Sequence, residues 1–93
     1  MEKTFNFHSD CGHGWLAVKI ADLSKVNLPL SDISNYSFVR GKTLYLEEDC
    51  DAPKFIKAYE ATYGTCMKYV EKHTSRSTIR SYDGVCTLRR IAA

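Results

Sequence analysis

Phe5 and Phe7 alternate with Asn6 and His8, the period-two pattern of a half-buried strand, and predict one over Thr4 to His8. Ser9-Asp10-Cys11-Gly12-His13-Gly14 breaks the pattern, since two glycines with Ser and Asp admit positive φ and local side-chain bonds of the kind that make a tight loop. Trp15 to Ile20 reads as a second strand. Leu23 and Val26, three apart, then give one or two turns of amphipathic helix that Asn27 and Pro29 end.

Asn35 to Val39 and Thr43 to Glu47 are strand-like runs on either side of Arg40-Gly41-Lys42, which predicts a β-hairpin. With glycine at the first central turn position, the register pairs Arg40 with Thr43, Phe38 with Tyr45 and Tyr36 with Glu47. Val39, Leu44 and Leu46 then share one face, expected on the core. Phe38 and Tyr45 share the other, expected nearer solvent or a partner.

Acidic residues and a proline follow where a helix should begin, in Glu47-Glu48-Asp49-Cys50-Asp51 and Ala52-Pro53. The ordinary reading is capping: Asp49 or Asp51 accepts bonds from the first N–H groups, and proline fits the first turn. Phe55, Ile56, Tyr59, Thr62 and Tyr63 recur at helical spacing up to a stop at Gly64. Thr65 to Lys72 alternates well enough for another strand, Thr74 to Thr78 reads as loop, and Val85 to Arg89 as a short edge strand. The fold class expected is α+β: a single small domain over residues 1–93, with three to five mostly antiparallel strands packed against one main helix and one short helix. Residues 89–93 are expected to form a tail.

At 93 residues, 44% hydrophobic and 26% charged, the composition is that of an ordinary globule, which excludes collagen, coiled coil and disordered classes. No apolar run reaches the roughly 18–20 residues that span a bilayer, and the first eight residues lack a signal-peptide stretch, so a cytoplasmic protein without membrane contact is expected. Charge is uneven along the chain. Residues 1–51 hold five basic and eight acidic side chains, and residues 52–93 hold eight basic and three acidic. Cys11, Cys50, Cys66 and Cys86 form no C-x-x-C pair, so reduced, buried cysteines are expected and neither a metal nor another cofactor is called for.

Three segments could carry chemistry. His8-x-Asp10-x-x-His13, with His73 or the acidic run, could supply a general base or part of a metal site, although histidines beside glycine turns commonly bond only backbone carbonyls. Glu47, Glu48, Asp49 and Asp51 carry more charge than a cap needs, so part of it is available to a basic partner, although a strand-to-helix junction aims neighbouring carboxylates in different directions. Lys72-His73-Thr74-Ser75-Arg76-Ser77-Thr78-Ile79-Arg80 has the hydroxyls and guanidinium groups that hold an anion, and equally those of a solvated loop. The sequence has no phosphate-binding glycine loop, nucleophile elbow or dinucleotide fingerprint.

Together, His8-Ser9-Asp10-Cys11-Gly12-His13-Gly14-Trp15, Ile33 to Ser37, Arg40-Gly41-Lys42-Thr43-Leu44-Tyr45-Leu46-Glu47-Glu48-Asp49-Cys50-Asp51-Ala52, and His73-Thr74 through Ile79-Arg80 resemble small uncharacterised proteins of bacteriophages, prophages and related mobile elements. The similarity spans roughly residues 7–81, and departs at Cys11, where proline is expected. The resemblance implies a phage-type accessory protein in the bacterial cytoplasm and assigns no catalytic residue.

A binding role is therefore favoured over an enzyme. The leading expectation is a stoichiometric inhibitor of a host defence complex, of the anti-restriction or anti-CRISPR class. Glu47, Glu48 and Asp49 would meet basic groups, Arg76 and Arg80 acidic or phosphate groups, and Tyr36, Phe38 and Tyr45 would serve as anchors. One alternative is a nucleic-acid-binding module using Lys72, Arg76, Arg80, Arg89 and Arg90. Another is a small metal-dependent hydrolase built on His8, Asp10, His13, Glu48 and His73.

Overall fold

A computed structural model describes residues 4–75 and 77–85, with Arg80 described by its main chain alone. The strands are β1 (Thr4–Ser9), β2 (Gly14–Lys19), β3 (Phe38–Arg40), β4 (Thr43–Glu47), β5 (Lys68–His73) and β6 (Asp83–Gly84), and the helices are α1 (Ile20–Lys25) and α2 (Ala52–Tyr63). Short 3₁₀ turns occupy Leu30–Asp32 and Thr78–Ser81.

The strands form one sheet in the order β5-β1-β2-β4-β3-β6. All neighbours are antiparallel except β1 and β5, which run parallel. A parallel neighbour needs a crossover, and α2 supplies it, carrying the chain from the end of β4 past β2 and β1 to the far edge. The sheet thus has six strands, one beyond the range expected, because Asp83–Gly84 adds a two-residue edge to β3. The edge strand expected over Val85 to Arg89 falls mostly outside the described residues, as does the tail; Val85 itself is buried.

The hairpin register is as read from the sequence at its turn, where Arg40 pairs with Thr43 and Phe38 with Tyr45. Gly41 takes φ +60°, the left-handed value a tight hairpin turn needs at that position. Tyr36 does not pair with Glu47. The strand begins only at Phe38, and Tyr36 stands 70% exposed in the preceding turn.

The pleat separates two faces. Phe5, Leu16, Val18, Val39, Leu44 and Leu46 point to the helix side, where Phe55 of α2 meets Phe5 edge to face at 5.4 Å. Burying a side chain of that size stabilises the fold by roughly 2–3 kcal/mol. The buried stripe of α2 is narrower than its spacing suggests: Phe55 and Tyr59 are buried and Ile56 partly so, whereas Thr62 and Tyr63 are exposed near the helix end. Helix α1 ends at Val26, where Asn27 adopts φ 57° and Leu28 N–H returns to the Leu23 carbonyl at 2.9 Å.

A candidate cation-binding cleft

Asp51 starts α2 but does not cap it. Its carboxylate is fully buried and turns away from the helix N–H groups to accept bonds from Ser34 N–H at 3.0 Å, the Ser34 hydroxyl at 2.7 Å and the Ser37 hydroxyl. Lys54 closes the arrangement, with Nζ 3.4 Å from Asp51 Oδ1 and 2.8 Å from the Asp32 carbonyl. Burial alone would push the Asp51 carboxyl up, but donors from Ser37, Ser34 and Lys54 outweigh it and hold the carboxyl below its ordinary value.

Glu47 organises the other side of the same junction. Its N–H donates to Ser37 Oγ at 2.9 Å, and its Oε2 accepts from Asp49 N–H at 3.0 Å and Cys50 N–H at 2.9 Å. The side-chain cap expected of Asp51 is absent from α2, and Glu47 instead closes the 47–50 turn that precedes the helix. Across the sheet Glu47 lies opposite Trp15, whose ring meets Phe38 at 6.3 Å and the His13 ring at 6.0 Å.

These ties shape an open cleft of about 550 Å³, lined among others by His13, Trp15, Tyr36, Phe38, Glu47 and Asp49, with Asn35 and Cys50 completing its wall. Four residues expected to meet a partner, Tyr36, Phe38, Glu47 and Asp49, therefore share one concavity, joined by His13. Carboxylates beside aromatic faces suit a cation on an aliphatic stem, a lysine or arginine side chain being the commonest such group. Cys50 is no candidate nucleophile. Desolvation, then its bond to Glu47 and the charges of Glu47, Asp51 and Asp49, raise its thiol above the ordinary value, so it stays protonated.

The remaining residues singled out in the sequence lie elsewhere. Glu48 lines a separate cleft of about 350 Å³ on the helix side with Phe7, Met67, Tyr69 and Glu71. Tyr45 shares the Phe38 face but packs against His8 at 6.0 Å and Tyr82 at 5.2 Å. Arg76, the Arg80 side chain, Arg89 and Arg90 lie outside the described residues.

The His/Asp set does not converge. His8 sits on the open face, where burial and then the Lys72 ammonium push it below its ordinary value. His73 lies at the end of β5 on the opposite face, with Nδ1 3.0 Å from Ser9 Oγ, which itself donates to Glu71 at 3.0 Å. Asp10 holds its own loop: Oδ1 accepts from Gly12 and His13 N–H at 3.0 and 2.9 Å, and Oδ2 from Ser77 N–H at 3.3 Å. Among the described residues, no three His, Cys, Asp or Glu side chains gather where a metal ion could be held. Cys11 and Cys66 are exposed and Cys50 is half-buried, which corrects the expectation of buried cysteines; none of the three is in a disulfide.

Sequence reasoning did not join Trp15 and Asn35 to the acidic run. The Trp15–Glu47 pairing depends on the β2–β4 register, which no local pattern announces. Compared with known proteins, the chain matches no family model, no curated protein and no solved structure. Among the described residues no helix is long and apolar enough to cross a membrane.

Proposed function

We propose that the protein is a stoichiometric binding protein, a phage-type accessory that inhibits a host defence complex of the restriction or CRISPR kind by seating a basic side chain of that complex in the cleft. The observation that supports the reading is the pairing of Glu47 and Asp49 with the Tyr36 and Phe38 rings in one open concavity. Nucleases and their assembly partners expose lysine and arginine wherever they hold nucleic acid, so an acidic, aromatic cleft on a small protein is complementary to such a surface. The resemblance to phage proteins supplies the setting.

The test is capture from bacterial lysate containing a restriction or CRISPR complex, with and without nuclease treatment, using the wild type and an Asp49→Lys/Tyr36→Ala double variant. Both side chains are exposed, so the variant should fold. The expected result is a nuclease-resistant complex of fixed stoichiometry, lost in the variant. Failure to capture either complex, capture that the variant retains, or capture that nuclease abolishes would overturn the proposal, the last in favour of nucleic-acid binding.

A further inference from the structure

Pleat parity sorts the charges of the sheet more sharply than the two halves of the sequence do. On the helix side, the described strand positions carry Glu71 and Asp83 and no lysine or arginine. The opposite face carries Lys19, Arg40, Lys68 and Lys72 against one acid, Glu47, which lies at the far end beside Trp15. The ring contacts confirm the parity: His8 meets Tyr45 and Trp15 meets Phe38 on this face, while Phe7 meets Tyr69 on the other.

The β5-β1-β2 part of this face is open. Asn6, Lys19, Lys68 and Lys72 are exposed, and Val70 is 50% exposed. Ala17 leaves a hollow between larger neighbours, a concavity of about 270 Å³ whose lining includes His8, Ala17, Lys19, Tyr45 and, at its α1 edge, Asp22, a carboxylate already taken up by Lys19 N–H at 2.9 Å and Lys25 Nζ at 3.8 Å. The hollow is smaller than pockets that enclose a whole organic ligand, so it suits one unit of a chain whose other units lie across the sheet. Lys19 on β2 and Lys68 on β5 lie level across β1, two strand spacings or roughly 10 Å apart, and Lys72 lies four residues further along β5, so the three ammonium groups address different phosphates.

We infer that this open face binds a single-stranded nucleic acid, with Lys19, Lys68 and Lys72 on the phosphates and the Tyr45 side of the hollow receiving a base or sugar. Charge complementarity selects a polyanion. The ring row, His8 to Tyr45 to Tyr82 with the Arg40 guanidinium 5.0 Å from the Tyr82 ring centre, favours nucleic acid over an acidic protein, because bases stack on such groups. A duplex is disfavoured, since its bases are hidden and, among the described residues, the strand positions of this face offer a sheet surface and not a helix to enter a groove. The surface adjoins the acidic cleft, since Phe38 of the cleft pairs with Tyr45, but it uses other residues and goes beyond the role proposed for the cleft.

The experiment is fluorescence anisotropy of a labelled oligothymidylate and of the matching oligouridylate, titrated with the protein over a series of salt concentrations. Binding should weaken with salt, with a log–log slope of about −2 for three lysine contacts at ~0.7 per phosphate. Lys68→Gln/Lys72→Gln, at exposed edge positions, should cut affinity about tenfold at low salt and reduce the steepness of the slope by ~1.4. Tyr45→Leu should weaken binding with the slope unchanged, and Lys57→Gln, exposed on α2 across the sheet from this face, should leave both intact. The His8 ring signals should titrate at higher pH once phosphate lies beside them, a local readout that binding elsewhere would not move. No anisotropy change at low salt, insensitivity to the paired lysine substitution, equal competition by polyglutamate, or an unmoved His8 titration would each overturn the assignment.

Discussion

Ser37 donates its hydroxyl proton to Asp51, and both side chains are fully buried. The same Ser37 oxygen accepts the Glu47 N–H at 2.9 Å, so one hydroxyl joins the approach to β3, the end of β4 and the start of α2. The two walls of the acidic, aromatic cleft are set by this contact. Tyr36 is held on one side through Ser34, whose hydroxyl accepts the Tyr36 N–H at 3.2 Å, and Asp49 on the other through Glu47.

Removing the centre of this arrangement should cost stability and cleft geometry together. Asp51→Ala leaves the Ser34 N–H and the Ser34 and Ser37 hydroxyls without their acceptor in a site closed to water, a loss of about 2–4 kcal/mol. Urea unfolding followed by circular dichroism should show a lower midpoint with an unchanged slope. A shift equivalent to less than ~0.5 kcal/mol would mean that water replaces the carboxylate and that the contact does not hold the loops.

Acid should act through the same group. The folded-state carboxyl of Asp51 lies below its ordinary value of 3.8, so as pH falls the unfolded chain takes the proton first. The stabilisation is therefore fully present above pH ~4 and drains away as pH falls through the folded-state value. Asp51→Asn, less stable at neutral pH, should lose less than the wild type between pH 5 and 2. Equal acid slopes for the two proteins, measured by urea midpoints across that range, would assign the acid sensitivity to other carboxylates.

How much of this was legible in the sequence depended on how local the determinant is. The hairpin turn announces itself through Gly41, and the alternation of Val39, Leu44 and Leu46 with Phe38 and Tyr45 fixes which side faces the core. The Tyr36–Glu47 pair fails because Ser37, which a strand pattern counts as an ordinary polar position, turns inward to Asp51. Nor does β5 declare its parallel neighbour: all six of its residues are exposed, so no buried stripe constrains where it docks. The divergence of the acidic run was readable from its junction, with Glu47 and Asp49 at the cleft, Glu48 on the helix side and Asp51 inside. Which rings would join them was not, since Trp15 arrives through long-range register.

Gly14 faces the helix side at the start of β2, opposite Ser9, with the Phe7 ring packed over it. A Cβ there would fall 2.7 Å from Phe7 Cε2, closer still to Cζ, and 3.1 Å from a Glu48 oxygen. Gly14→Ala should therefore destabilise by about 1–3 kcal/mol through displacement of the ring. Gly14→Ala combined with Phe7→Leu should recover part of that loss. Thermal melts of the three proteins check it, and a single variant as stable as the wild type would show that Phe7 moves aside freely.

Cys50 offers a chemical probe of the cleft, because its reactivity is governed by the groups that would hold a cationic partner. The thiolate is the reacting species with alkylating agents, and here desolvation, the bond to Glu47 and the surrounding carboxylates favour the protonated thiol. Cys11 and Cys66 are exposed, so at neutral pH both should be alkylated by iodoacetamide before Cys50, which peptide mass mapping resolves residue by residue. Raising the pH should accelerate Cys50 later in the titration than an unhindered thiol. A lysine-rich peptide seated beside Glu47 and Asp49 would offset the carboxylate charge, and the positive charge it brings favours thiolate, while its bulk blocks the reagent. The two effects separate by reagent size: hydrogen peroxide should react faster with Cys50 in the complex and iodoacetamide more slowly. If the peptide alters neither rate, it does not occupy the cleft, and if Cys50 is alkylated first in the free protein, Glu47 does not hold its thiol as the geometry requires.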